Sequence, residues 1–251
     1  MRSSVSTFAL LLLVLVCFGL GLASALAPRS AATPTATIAP GPAPVPDAGG
    51  QTTLLVVGVD DLHSPQPALR AVWLISFRTP GKDLFALGLP THAAVPVQSG
   101  FALAELFAWD REHGVDAAFL AGLQRLAPLQ PSLVLCMDRT AFAALIDYLG
   151  GLDLNGVRLS GVEAVAVLDL LADDPAASLA TQARLLEALA LRAPQAGATP
   201  DLTPLIDLIP DHVYLSSSLA EAAAALAPLL PIEPTALHFD LPPVPTAPLS
   251  P

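Results

Sequence analysis

Short apolar strand signals alternate with amphipathic helix signals along most of this chain, and the alternation limits the possible fold classes. Four apolar runs have the length and composition of buried strands: residues 53–59, 72–77, 84–89 and 133–137. A Pro80-Gly81 pair lies between the second and third runs, which predicts an antiparallel hairpin. Two later runs, residues 212–215 and 236–239, have the composition of further strands.

Helix signals fall between these runs. Asp138 is placed to cap a helix over residues 139–149 that ends at Gly150-Gly151. Ser160 and Ser218 each open a Ser-x-x-Glu capping box, which predicts a helix start at both positions. Residues 176–191 are helical by composition. Interleaved strands and helices predict an α/β protein, an α+β sandwich with helices packed on a central sheet.

The N-terminal part of the chain predicts a membrane-linked domain. Residues 8–27 form a charge-free apolar run of about the length that spans a bilayer. It is either a cleaved signal peptide, with Ala25-Leu26-Ala27 as the cleavage site, or a signal anchor, which its length favours. Residues 28–50 form a Pro/Ala/Thr-rich linker, residues 51–240 the folded domain and residues 241–251 a Pro-rich tail. We therefore expect a single-pass membrane protein with an extracytoplasmic domain, secreted if the segment is cleaved.

Composition excludes several classes of protein. The net charge is −11 and only 11 residues are Lys or Arg, which is too few cations for nucleic-acid binding. A hydrophobic share of 53% is too high for a disordered chain. The two cysteines are Cys17, inside the apolar run, and Cys136, so an exported domain has no internal disulfide.

The order and spacing of four segments resemble the LytR-CpsA-Psr family, also called cell envelope-related transcriptional attenuators. The segments are residues 54–60 (LLVVGVD), 87–90 (LGLP), 147–154 (DYLGGLDL) and 160–166 (SGVEAVA). The resemblance implies a mixed central sheet covered by helices. It also implies an anchored protein that moves polyprenyl-diphosphate-linked polymers onto peptidoglycan.

The acidic pair after the first strand is a candidate metal site. In the family an acidic residue at this point helps to hold magnesium, and Asp60 matches it, while Asp61 adds a second carboxylate. Two adjacent carboxylates suit a hard cation, so Mg²⁺ is the expected cofactor if the protein is active. A solvated turn in which the carboxylates accept backbone N–H groups is the alternative interpretation.

Most of the basic residues that the family uses for phosphate chemistry are replaced here. The family's first arginine falls on Ala68, or on Arg70 if the alignment slips by two residues. Its Pro-Arg-Asp element becomes Pro90-Thr91-His92. Thr91 cannot make the bidentate contact of an arginine, and His92 is a weak substitute.

The last family element loses its positive charges as well. Asp169 and Leu171 occupy the Arg-x-Arg positions, and Thr181-Gln182 stands where Arg-Gln is expected, so only Gln182 is retained. An aspartate at position 169 would repel a diphosphate. Arg184 lies nearby but projects away from Gln182 on a helix, toward solvent.

Three functions follow as hypotheses. We favour an anchored LytR-CpsA-Psr-like envelope protein without transferase activity that binds a polyprenyl-phosphate lipid or an envelope partner such as peptidoglycan. The second is an active phosphotransferase with a relocated site, for which Asp60, Arg70 and Gln182 are the candidate catalytic residues and Asp60 and Asp61 the metal ligands. The third is an unrelated envelope interaction module. The five histidines show no metal-ligand spacing along the sequence.

Overall fold

A computed structural model describes residues 50–78, 83–95, 101–192, 203–209, 211–226 and 236–241. The predicted membrane segment, the linker, the Pro80-Gly81 turn and most of the Pro-rich tail lie outside these residues. Within the described residues, no helix has both the length and the apolar character needed to span a bilayer.

The core of the fold is a six-stranded mixed sheet. Its strands are β1 (Gln51–Val59), β2 (Leu69–Arg78), β3 (Leu84–Gly88), β6 (Leu133–Asp138), β9 (Val213–Leu215) and β10 (Leu237–Asp240). They lie in the order β10-β3-β2-β1-β6-β9. The β1–β6 and β10–β3 pairs are parallel, and the other three pairs are antiparallel. The predicted hairpin of the second and third strands is confirmed.

Two small hairpins and seven helices surround this sheet in the described part of the chain. The hairpins pair β4 (Trp109–Asp110) with β5 (Gly114–Val115) and β7 (Leu152–Leu154) with β8 (Val157–Leu159). The helices are α1 (Leu103–Leu106), α2 (Ala117–Leu126), α3 (Arg139–Tyr148), α4 (Gly161–Leu170), α5 (Pro175–Arg192), α6 (Thr203–Ile206) and α7 (Leu219–Leu226).

Successive side chains of each strand point to opposite faces of the sheet, and both faces are buried. On one face Leu55, Val57 and Leu74 pack with Phe119 of α2 and Leu103 of α1. On the other face Trp73 and Ala86 pack with Leu179 and Ala183 of α5. Cys136 is buried on the first face, and burial raises the pKa of its thiol to about 12, which makes it unreactive.

The predicted helix ends follow from local hydrogen bonds. Asp138 caps α3 by accepting the backbone N–H of Ala141 at 3.0 Å. The same helix ends at Gly150 and Gly151, whose φ values of +75° and +90° favour glycine. Ser160 and Glu163 form a capping box at the start of α4. The side chain of each residue accepts the backbone N–H of the other.

The architecture therefore confirms the α+β sandwich with a mixed central sheet. The four predicted central strands lie in one sheet, and α3 and α5 cover one of its faces. The sequence analysis missed α2 and both small hairpins. Helix α2 and the β4–β5 hairpin pack on the opposite face, whereas the β7–β8 hairpin packs against α3, α4 and α5.

Candidate functional site

A cavity lies between the sheet and the helices α3, α4 and α5. Its volume is about 290 Å³. Val56, Trp73 and Ile75 of the sheet form its floor, and Phe142, Leu179 and Leu186 of the helices form its walls. These side chains are apolar or aromatic, so the interior suits a hydrocarbon chain rather than a polar substrate.

The polar residues of the cavity gather at one end. That end is built from the start of β2, the loop after β3, the start of α3 and the end of α4, and we call it the mouth. The mouth is lined by Arg70, Thr91, His92, Asp138, Arg139, Asp169, Ser178 and Gln182. The other end is lined by leucines from β3, β10 and α5. An apolar cavity with a polar mouth suits an amphiphile whose headgroup stays near solvent.

Arg139 is a mouth residue that the sequence analysis did not single out. It is the first residue of α3, directly after the capping Asp138. Its Nη1 lies 3.4 Å from Oδ2 of Asp169, with both side chains nearly half exposed. The sequence signal for Arg139 is its position directly after a predicted strand, where a basic side chain can face a ligand.

Gln182 lines the cavity but is fully engaged in hydrogen bonds. Its Oε1 accepts the indole N–H of Trp73 at 3.0 Å. Its Nε2 donates to the carbonyl oxygen of Arg70 and to Oγ of Ser178, both at 3.2 Å. Gln182 therefore ties α5 to β2, and its amide has little hydrogen-bonding capacity left for a ligand.

Arg70 lies at the mouth with an exposed side chain. Among the described carboxylates, none forms an ion pair with its guanidinium. Thr91 and His92 lie at the same mouth, where Thr91 Oγ1 is 3.1 Å from His92 Nδ1. The mouth therefore offers the guanidinium of Arg70, which is not in an ion pair, the paired guanidinium of Arg139 and the imidazole of His92.

Asp60 and Asp61 lie in the turn after β1, outside the cavity lining. Oδ1 of Asp60 accepts the backbone N–H groups of Asp61 at 2.8 Å and of Ala68 at 2.7 Å. Oδ1 of Asp61 accepts the N–H of His63 at 2.8 Å, and this bond lowers the pKa of Asp61. One oxygen of each carboxylate is thus committed to the backbone of the turn, as in the alternative interpretation of this acidic pair.

The structure therefore brings together only part of the predicted site. Arg70 and Gln182 line one cavity, and neither Asp60 nor Asp61 lines it. Arg184 is exposed on α5, as predicted. The catalytic and metal assignments remain predictions.

No protein-family model and no curated protein sequence matches this chain. Solved structures do match it. A LytR-Csp2A-Psr enzyme from Actinomyces oris aligns with a TM-score of 0.59 at 16% identity, over 79% of this chain and 83% of that one. TagV of B. subtilis aligns with a TM-score of 0.57 at 14% identity, over 77% and 84%.

A third structure, TagT bound to LIIa-WTA, aligns with a TM-score of 0.57 at 17% identity, over 76% of this chain and 78% of that one. Identity at this level carries no information about individual site residues. Together with the mixed sheet and its helical cover, these alignments show that the chain has the LytR-CpsA-Psr fold.

Proposed function

We propose that this chain is a membrane-anchored, extracytoplasmic protein that holds the hydrocarbon tail of a polyprenyl-phosphate lipid in its cavity and does not transfer the attached polymer. The observation that carries the proposal is the cavity of about 290 Å³, apolar inside and polar at one end. An apolar interior with a polar mouth is suited to a lipid with a phosphate headgroup. TagT, which has the same fold, was solved bound to LIIa-WTA.

The composition of the mouth argues against transfer. Phosphoryl transfer from a lipid diphosphate develops negative charge that clustered arginines or a metal ion must stabilise. At the mouth, Arg139 is paired with Asp169, and Thr91 stands where the family has an arginine. Each charge-assisted contact to phosphate is worth about 1.5–3 kcal/mol, so the loss of several lowers the rate by several powers of ten.

Binding is tested by filling the cavity. Val56→Phe places a ring on the cavity floor, whereas Val162→Phe makes the same substitution at a side chain that is 71% exposed outside the cavity. Calorimetric titration with a short-chain polyprenyl phosphate should give Val56→Phe an affinity about 5- to 150-fold lower, because crowding costs about 1–3 kcal/mol. Val162→Phe should bind like the unaltered protein. Equal affinity in both variants would contradict the cavity as the binding site.

Transfer is tested separately with a lipid-diphosphate-linked donor, peptidoglycan and Mg²⁺. We expect no linked product above the background without protein. Turnover that Arg70→Ala abolishes would instead favour an active phosphotransferase. The observation behind that second function is that two arginines, Arg70 and Arg139, lie at the mouth.

A further inference from the structure

Three side chains that are far apart in sequence meet beside the end of β6. They are His63, Asp138 and His212, and one potential ligand atom from each lies within 4.8 Å of the other two. Oδ2 of Asp138 is 2.7 Å from Nδ1 of His212. The rings of His63 and His212 lie edge to face, with centroids 5.4 Å apart.

Each of the three side chains is positioned by a different element. Asp138 ends β6, and its side chain is only 1% exposed. His212 directly precedes β9, where its carbonyl oxygen accepts the N–H of Asp138 at 3.2 Å. His63 lies in the turn after β1, which is closed by the hydrogen bond from the Ala68 N–H to Asp60. Because β1 pairs with β6 in parallel, this turn lies beside Asp138 at the end of β6.

We propose that His63, Asp138 and His212 form a binding site for one divalent transition-metal ion of the zinc class. Two imidazoles and one carboxylate are a donor set that zinc and its neighbours prefer over magnesium or calcium. Bonds of about 2.0–2.2 Å in a tetrahedral shell place neighbouring ligand atoms about 3.4 Å apart. Oδ2 of Asp138 and Nδ1 of His212, now 2.7 Å apart, would have to separate slightly around an ion, and His63, whose side chain is 46% exposed, has room to turn toward it.

Asp61 supports this assignment from outside the cluster. Its Oδ1 lies 3.3 Å from Nδ1 of His63 and also accepts the backbone N–H of that residue. Metal-binding histidines commonly donate their second ring N–H to a carboxylate, which orients the ring. The ring of His63 reaches the pair through its edge-to-face contact with His212, which leaves its second ring nitrogen available to an ion.

A second group in the described chain provides an internal control. Asp110, Glu112 and His113 also bring their ligand atoms together, but all three are exposed and adjacent in sequence. Asp110 Oδ1 accepts the backbone N–H groups of both other residues, so the group is accounted for as a turn. It offers one imidazole, whereas the proposed site offers two and a buried carboxylate.

The test is a zinc titration of the full 251-residue chain, purified in detergent and stripped with EDTA. We expect the unaltered protein to bind one equivalent of Zn²⁺. His63→Gln should weaken binding by more than about tenfold, since even outer-shell changes cost about 10–100-fold. His113→Gln, the matched control in the exposed group, should leave the affinity unchanged.

His63→Gln also separates metal binding from folding. Without metal, its melting temperature should equal that of the unaltered protein, whereas His212→Gln should melt lower because it loses the bond to Asp138. Absence of zinc binding by the unaltered protein, or equal affinity in His63→Gln, would overturn the proposal. Co²⁺ absorption in the visible range gives an independent readout, and a tetrahedral spectrum that is lost in His63→Gln is the expected result.

Discussion

Replacing Gln182 by leucine should destabilise the domain because it leaves one buried hydrogen-bond donor, the indole N–H of Trp73, without an acceptor. Trp73 is only 3% exposed, and Gln182 accepts its indole N–H at 3.0 Å. Leucine has a similar size but no acceptor, so the indole N–H would remain buried without a partner. An orphaned donor of this kind costs about 1–3 kcal/mol of unfolding free energy. The carbonyl of Arg70 also loses a donor, but it lies at an exposed residue where water replaces it.

Urea unfolding followed by circular dichroism measures this loss. Gln124→Leu is the matched control because Gln124 is exposed on α2, and surface changes of this kind stay within about 0.5 kcal/mol. In a Trp73→Phe background the cost of Gln182→Leu should shrink, because phenylalanine has no N–H to orphan. A loss below about 0.5 kcal/mol, or an equal loss in both backgrounds, would refute this role of Gln182.

Two further predictions concern pH dependence and topology. Glu163 accepts the backbone N–H and the hydroxyl of Ser160, which lowers its pKa below the ordinary value near 4.5. Because the folded pKa is lowered, the stability that this carboxylate contributes is present above pH 4.5 and is lost as pH falls through the folded pKa. The difference in urea midpoint between the unaltered protein and Glu163→Gln should therefore shrink on acidification, and a difference independent of pH would contradict this. For topology, the apolar run of residues 8–27 implies that protease added to intact spheroplasts digests the folded domain, and full protection would refute the extracytoplasmic location.

Much of the fold was predictable because its strands and helix ends are specified locally. Asp138, Ser160 and Ser218 each begin a helix through hydrogen bonds within four residues, so the sequence pattern is sufficient. The four central strands are nearly continuous apolar runs, which is typical of strands buried on both faces.

Helix α2 was missed although Asp116 caps it, accepting the N–H of Ala118 at 2.6 Å. The interior glycine Gly122 lowers the helix propensity of this segment. In the structure a Cβ at Gly122 would come within 2.9 Å of Leu106 Cδ1, so the glycine allows close packing against α1. This contact is tertiary, and the local pattern does not contain it.

The candidate sites were less predictable because they depend on strand pairing. Asp138 and His212 are 74 residues apart and meet only because β6 pairs with β9. The histidines therefore show no ligand spacing along the sequence, although two of them are adjacent in space. The family motifs do not include Arg139. Its ion-pair partner Asp169 lies on a different helix, so the spacing along the sequence does not connect the two residues.

The ion pair of Arg139 and Asp169 changes the interpretation of charge at the cavity mouth. From sequence, an aspartate at position 169 predicts repulsion of a diphosphate. In the structure Arg139 lies 3.4 Å from that carboxylate and offsets its charge. Such an exposed pair contributes only about 0–1 kcal/mol, so an arriving phosphate can compete for Arg139 at little cost. One or two available arginines are sufficient to retain a headgroup, but transfer needs several charges fixed in place before the reaction begins. The ion pair therefore supports the proposal that the mouth holds a lipid phosphate without cleaving it.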